Sequence, residues 1–539
     1  MPKNQKNRKK KYAFSSKRHR TGEVAKLATF NTQILQLYQQ KKIQGALTLS
    51  QKALLSFPNN PVLLKMAGGF AVKLNQIKPA KNYFINSLKY AKDALVYYNL
   101  GKLYQQTEAF DEARTCYKKA LQLNADYANA HYNLANIYLK ELQFDKAKLH
   151  YQHLIKLEPN YASAYHQLGV LYKQESNFEA AITHYKTAVK LDPKALESHY
   201  NLAILLQQKE QYKAAEIHYQ RVLELDSNYV SAYLNLGVLF KDQQYFNKAK
   251  YYFNRCLELD PDSADTEWNL ALFYLTVGEL TLGWQHYESR YYDNKTEKDF
   301  MGTHKPDMLM PMCQAGDSLT GKNLLIYLEQ GFGDEIQFVR YLPLLKSQKG
   351  VKDIILVCRP ELRKLYSNMS CIEHVLDKNT FNDANIYGID YWMFMMSLPL
   401  HFNTTVETIP NQLPYLSSPQ ADQDKWQDKL PQGFNIGLVW KGQVKHQNDA
   451  NRSLPSLKTL KPLWDLNNQF KEKNINFISL QKGAGEDEAN NPPTDQPLLH
   501  LGADIQDFSD TAAIVAQLDL IICVDTAIAH LAGSLNTPC

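Results

Sequence analysis

The chain has 539 residues, 44% hydrophobic and 22% charged, with a formal net charge of +6, an ordinary globular composition at a length suited to two to four domains. Nine Lys or Arg and no acid occupy the first twenty positions (Lys3, Lys6, Arg8, Lys9, Lys10, Lys11, Lys17, Arg18, Arg20), so the remainder is near neutral and bulk charge argues against nucleic-acid binding. No apolar run reaches 18 residues, which excludes a predicted membrane span. Residues 1–28 read as a basic, disordered arm, or as an electrostatic dock for an acidic surface; no apolar core follows the charges, so this is no signal peptide. The seven cysteines form no C-x-x-C pair and read as reduced and free of metal, as in a cytoplasmic protein.

From about residue 29 a 34-residue period sets in. Tyr98, Gly101, Tyr104, Ala113, Tyr117 and Ala120 return as Tyr132, Ala135, Tyr138, Ala147, Tyr151 and Leu154, then as His166, Gly169, Tyr172, Ala181, Tyr185 and Ala188. Two further copies run through Tyr200 to Val222 and Leu234 to Cys256, with degenerate copies on either side. Small residues at fixed spacing let two helices of a unit approach, and aromatics fill the gap to the next unit. This pattern resembles the tetratricopeptide repeat and implies an α superhelix, a tetratricopeptide solenoid, over residues 29–292. Asn99, Asn133, Asn201, Asn235 and Asn269 share one register, with Gln167 between them. An Asn can donate to one backbone group and accept from another. The row therefore reads either as a ladder holding an extended peptide or as bonding within each repeat.

The period ends after Tyr287, and residues 293–320 read as a linker packed on the next domain. Asn323 to Tyr327 reads as a buried strand, leading through Glu329-Gln330-Gly331-Phe332-Gly333-Asp334 to a helix from about Glu335 to Leu345. A strand, a glycine turn and a helix start bring backbone N–H groups against a ligand. Asp334 has two readings: the N-cap of that helix, or a catalytic base at a strand end. A second strand, Asp353 to Cys358, continues the α/β alternation, and Tyr391 to Phe402 reads as core. This lobe spans 321–432.

A second βα series occupies 433–539. Strands are predicted at Asn435 to Trp440, Ile475 to Leu480, Leu498 to Leu501 and Leu520 to Val524, with helices at Leu457 to Phe470 and Asp510 to Gln517. In the doubly wound order 3-2-1-4 the first and fourth strands are neighbours, and ligands bind in the crevice between them. That order brings Lys441, Asp525, Thr526 and His530 to one place, with Arg452 on the loop after the first strand, beside a helix start that favours anions. The alternatives are solvated loop charges for Lys441 and Arg452, and an ordinary amphipathic-helix histidine for His530.

Glu329 to Asp334 and Asp525-Thr526-Ala527-Ile528-Ala529-His530-Leu531-Ala532-Gly533 resemble the paired motifs of the heptosyltransferase-like glycosyltransferases (glycosyltransferase family 9-like), in a variant similar to bacterial proteins that fuse them to tetratricopeptide repeats. The resemblance implies an α/β GT-B fold of two Rossmann-like lobes and inverting sugar transfer from a nucleoside-diphosphate sugar. It implies no metal and no further cofactor. Asp334 would be the base, and Gly331, Gly333, Lys441, Arg452, Asp525, Thr526 and His530 would hold the donor. A protein or peptide acceptor would lie on the repeats. Ala527 stands where heptosyltransferases often carry Gly, which disfavours a heptose donor. The alternative function is an interaction scaffold with an inactive transferase-like half. A fifth strand is expected where the chain stops at Cys539, so the second lobe is read as incomplete and its fourth strand as a bare edge.

Overall fold

The computed structural model describes residues 23–291, 308–382, 388–443, 449–467 and 474–539. Most of the basic arm, much of the linker and Asn448 lie outside them. Residues 23–39 are helical, so positions 23–28 belong to a helix and not to the arm. The chain divides into two compact units, 1–239 and 240–539.

Helical hairpins recur from Ile43–Ser56 to Leu280–Tyr287. In the first unit the hairpins after the first close over an aromatic ring. Tyr117, Tyr151, Tyr185 and Tyr219 are fully buried. A Cβ at Gly101 would sit 2.7 Å from the Tyr117 ring, and one at Gly169 would sit 2.6 Å from that of Tyr185. The hydroxyls of Tyr117 and Tyr219 donate to Gln105 and Gln207 at 2.8 and 2.9 Å and that of Tyr151 donates to Asn136, whereas the buried Tyr185 hydroxyl has no partner among the described residues. The turns between paired helices pass through left-handed residues that are not glycine: Glu108, Leu142, Ser176 and Glu210 have φ of 57–58°. The next N–H then bonds back to the helix, as from Gln143 to the Tyr138 carbonyl at 2.8 Å.

The second unit begins with the last hairpins and continues into two four-stranded sheets. β1 (Asn323–Tyr327), β2 (Asp353–Cys358), β3 (His374–Asp377) and β4 (Tyr391–Phe394) form the first. β5 (Phe434–Val439), β6 (Ile475–Ser479), β7 (Leu499–His500) and β8 (Leu520–Cys523) form the second. Their orders are β3-β2-β1-β4 and β7-β6-β5-β8, with every pairing parallel. This is α/β architecture: near-continuous apolar strands with helices between them. The helix after the glycine turn starts earlier than expected, at Phe332, and breaks into Phe332–Phe338, a 3₁₀ turn and Leu342–Ser347. The helix expected from Leu457 is likewise a 3₁₀ turn followed by Lys461–Asn467, with Pro462 fixing the new start. The described end of the linker packs on β4, where the Cys313 N–H donates to the Trp392 carbonyl at 2.8 Å. β8 is not left bare along its length: the Ile521 N–H donates to the Pro538 carbonyl at 2.8 Å, and the Thr537 hydroxyl to the Val515 carbonyl at 3.1 Å.

One apolar core joins the last hairpin to both sheets, running from Trp268, Trp284 and Tyr287 through Ile326, Ile336 and Met393 to Ile478 and Leu531. The Trp284 ring meets Phe338 edge-on with centroids 5.6 Å apart.

The first unit carries two histidine pairs two repeats apart. His131 faces His150 with Nδ1 atoms 2.8 Å apart, and His199 faces His218 at 2.9 Å. Burial pushes His150 and His218 down to about 4, helped by the facing histidines. The unfolded chain therefore takes up these protons from about pH 6.5 downward, whereas the folded chain resists until about 4. This stabilisation is full above pH 6.5 and lost as pH falls across that window. Thermal melts should drop between pH 7 and 5, and drop less in the double variant His150→Phe/His218→Phe. Equal drops in both proteins would remove the histidines from the acid response.

Candidate functional site

β1 delivers the chain to the site through Leu328 and Glu329, both buried. Gln330 then takes a left-handed φ of 63°, and Gly331 caps the helix Phe332–Phe338. Asp334 is the third residue of this helix and not its N-cap. Its Oδ2 accepts from the Gly331 N–H at 3.0 Å, satisfying a donor the turn would otherwise leave open. Three long-range groups fix this turn. The Arg290 guanidinium donates to Glu329 at 2.8 and 3.1 Å, and also to Ser397 at 3.0 Å and the Tyr287 carbonyl at 2.8 Å. Tyr291 donates to Glu329 at 2.9 Å. Burial pushes the Glu329 carboxyl up to about 7, against the pull of Arg290. On the other side Arg359 bonds the Glu335 carboxylate and the Gln330 carbonyl, and its guanidinium lies 5.0 Å from the centre of the Phe332 ring.

In the second sheet β5 pairs with β8, Val439 beside Cys523, so the loops after both strands leave the same edge. Arg452 reaches across to the β8 loop: it donates to the Asp525 carbonyl at 2.5 Å, and its Nε lies 3.0 Å from the Asp525 carboxylate. Thr526 is the N-cap residue of the helix Ala527–Ser534, yet its side chain makes no cap hydrogen bond. The buried Thr526 hydroxyl and the Trp440 indole N–H lack hydrogen-bond partners among the described residues. Lys441 departs from expectation. Its ammonium pairs with Glu488 at 2.7 Å, on the β6 side, and is not a free cation of the crevice. Gln481 explains the placement: it accepts from the N–H groups of Trp440 and Lys441 at 3.0 and 3.1 Å and returns a bond to the Lys441 carbonyl. Neither partner was predictable, since Gln481 and Glu488 lie 40 or more positions away with no spacing signal.

The two sheets meet where the helices Phe332–Phe338 and Ala527–Ser534 pack together. A Cβ at Gly333 would lie 2.7 Å from Cδ2 and 3.2 Å from Nε2 of His530, so only glycine admits the imidazole there. Phe332 and Phe508 add a ring contact with centroids 5.0 Å apart. The site thus gathers Gly331, Gly333, Asp334 and His530 at one junction, with Arg452, Asp525 and Thr526 along the β8 loop. Among the described residues, no group of three or more His, Cys, Asp or Glu is arranged to hold a metal ion, and no helix is long and apolar enough to cross a membrane.

The asparagine row is half buried and already engaged. Asn133 and Asn235 donate to the hydroxyls of Tyr98 and Tyr200 at 3.4 and 3.1 Å, bridging to the preceding repeat. Asn201 and Asn269 donate to carbonyls one turn back on their own helices, Glu197 and Asp265, at 2.9 and 2.8 Å. Asn99 shares the register and the half-buried position.

Family models described as TPR repeat or tetratricopeptide repeat match residues 106–141 and 171–210, 128–161, 150–183, 196–229 and 230–263. Protein FlbA of Caulobacter vibrioides is 26% identical over 288 residues, covering 50% of this chain; the chain spans only 46% of that relative. Among solved structures, YrrB, a TPR protein with an unusual peptide-binding site, is 21% identical with a TM-score of 0.32, covering 34% of this chain and 95% of its own. The C-terminal part of a TPR repeat-containing protein from Cytophaga hutchinsonii is 14% identical with a TM-score of 0.39, covering 45% of this chain and 99% of its own.

Replacing Gly333 by Ala should lower the melting temperature through the His530 contact, by about 1–3 kcal/mol of overpacking. The double variant Gly333→Ala/His530→Ala should recover most of that loss relative to His530→Ala alone. Additive effects in this cycle would mean that the two residues do not touch in solution. Six stretches matched by tetratricopeptide-repeat models, lying on helical hairpins of 34-residue period, make residues 106–263 of this chain a tetratricopeptide-repeat array.

Proposed function

We propose that the chain is a glycosyltransferase of GT-B type that works without a metal and inverts the sugar, with the repeats recruiting a protein or peptide acceptor. The observation that carries this reading is the approach of His530 to Gly333, which sets the start of one helix from each sheet at a common junction. The donor diphosphate would sit at the N-terminus of Ala527–Ser534, where backbone N–H groups, the unpartnered Thr526 hydroxyl and Arg452 all favour an anion. Asp334 would accept the proton of the attacking hydroxyl as that oxygen bonds the anomeric carbon and the nucleoside diphosphate departs. With Lys441 held by Glu488, the leaving charge would meet His530 and Arg452, the latter already sharing its guanidinium with Asp525. Cysteines all free of disulfides fit a cytoplasmic location.

A second reading, an interaction scaffold whose α/β half does no chemistry, is favoured by one fact. Every family match falls within residues 106–263, inside the repeats.

Incubation with a panel of nucleotide-sugars and a protein acceptor, following release of nucleoside diphosphate, tests the choice. Asp334→Ala should cut release by about 100-fold or more while leaving nucleotide binding intact; equal release by both proteins would remove Asp334 from the base role. Absence of nucleotide binding across the panel would leave the scaffold. On the repeats, the triple change of Asn133, Asn201 and Asn235 to Ala should weaken peptide capture without altering nucleotide affinity. Unchanged capture would make the row purely structural.

A further inference from the structure

One position of the repeat breaks its own rule. At 34-residue spacing the second helix of successive hairpins presents His150, His184, His218, Tyr252 and His286, and in the first hairpin of that series Cys116. Each ring packs against residues of its partner helix. His150 stacks on Tyr138 with centroids 5.7 Å apart while its Nδ1 meets His131. His184 lies between Tyr172 and Tyr165, at 4.9 and 6.2 Å. His218 faces His199 at 5.1 Å. Tyr252 stacks on Phe240 at 5.4 Å, and His286 stacks on Tyr274 at 5.3 Å while bonding Glu267.

In the hairpin of Ala94–Gln106 and Phe110–Leu123 the corresponding walls are present, as Tyr97 and Tyr104, but the ring between them is missing. Cys116 is too short to fill the place, and a cavity of about 480 Å³ opens there. It is lined by Leu100, Cys116 and the two tyrosines, and by Ile85 and Leu88 from the preceding helix Ile77–Tyr90. Two lysines line it, Lys89 and Lys119, the ammonium of the latter 5.6 Å from the centre of the Tyr97 ring. Asp111 and Glu112 also line it, with Asp111 already bonded to Arg114. The Cys116 thiol is buried and burial pushes it up to about 11, so its contribution is space and not reactivity.

We infer that this cavity binds an aromatic side chain of a partner protein, seated between Tyr97 and Tyr104 where the other repeats seat a ring of their own, with an acidic neighbour of that side chain on Lys89 and Lys119. The volume lies within the range of small-ligand sites, and the tilted or stacked geometry is the one aromatic pairs prefer. The site is separate from the asparagine row and from the α/β junction.

Saturation-transfer NMR on the full chain provides the test, with two probes: the peptide acetyl-Gly-Asp-Trp-Gly-Gly-amide and its Trp-to-Ala counterpart. Indole protons should be saturated in the wild type, and the Ala peptide should show no binding. Cys116→His restores the ring found in the other hairpins, so it should abolish indole binding while holding or raising the melting temperature. Tyr104→Leu copies the natural Leu206 of another repeat, and should weaken binding about tenfold through loss of one aromatic wall. Lys89→Glu/Lys119→Glu should weaken the peptide but leave N-acetyl-tryptophanamide unchanged. No saturation in the wild type, or undiminished binding in a folded Cys116→His protein, would overturn the site. N-acetyl-tryptophanamide binding as tightly as the peptide would overturn the protein-partner assignment.

Discussion

The α/β half of this protein depends on a buried cation. Arg290 is 5% exposed and Glu329 3%, and the guanidinium lies 4.3 and 4.0 Å from the centres of the Tyr287 and Tyr291 rings. Neither charge has access to bulk water, so Arg290 depends on Glu329, on the half-buried Glu288 at 2.8 Å, on Ser397 and on the Tyr287 carbonyl, and Glu329 depends on Arg290 and Tyr291. A buried pair of this kind adds little over an apolar core of the same volume, but removing Arg290 strands the Glu329 carboxylate at roughly 3–5 kcal/mol. Its effect is positional. Arg290 closes the last helical hairpin, and Glu329 lies two residues before the glycine turn, so the end of the repeats and the start of the site are held at one point.

The same junction explains why the last hairpin does not stand apart. Trp268, Trp284 and Tyr287 share a core with the helices around β1. The linker read at 293–320 therefore follows a contact that is already made, and its described end closes on β4 through Cys313. The site inherits this rigidity from two directions: Arg290 braces the turn from the hairpin side, and Arg359 braces it through Gln330 and Glu335.

Local patterns were legible in the amino-acid sequence, and long-range polar partners were not. The bounds of β1 and β2 follow from apolar runs ended by Gly, Pro or charge, and the 34-residue period gave the hairpins because small and aromatic positions alternate without exception in Ala113 to Tyr117 and its copies. The order of the second sheet follows from general rules of connection. What escaped were side chains whose meaning comes from distant partners: Arg290 with Glu329, Arg359 with Glu335, Gln481 with the backbone at Lys441. Lys441 reads as a free loop cation until Glu488 is placed beside it. Asp334 reads as an N-cap or a base; it is instead the third helical residue, and its carboxylate accepts from the Gly331 N–H, which leaves the base reading open. The aromatic-rich register hid Cys116 among tyrosines, although its departure from His and Tyr was visible in every neighbouring copy.

The left-handed turns of the hairpins have a consequence for how such an array changes over generations. Glu108, Leu142, Ser176 and Glu210 share one backbone conformation although their side chains range from a carboxylate to a hydroxyl to an aliphatic group. The conformation costs any non-glycine residue roughly 1–2 kcal/mol and is imposed by the helices on either side, so the turn does not depend on which residue occupies it. A duplication or deletion of one whole period would join helices that impose the same bend, whatever residue fell at the seam. Copy number can therefore drift by genetic slippage without a bespoke sequence at each new boundary, and the step of 33 residues from Asn75 to Glu108 carries the same bend with Phe84 and Tyr117 both seated.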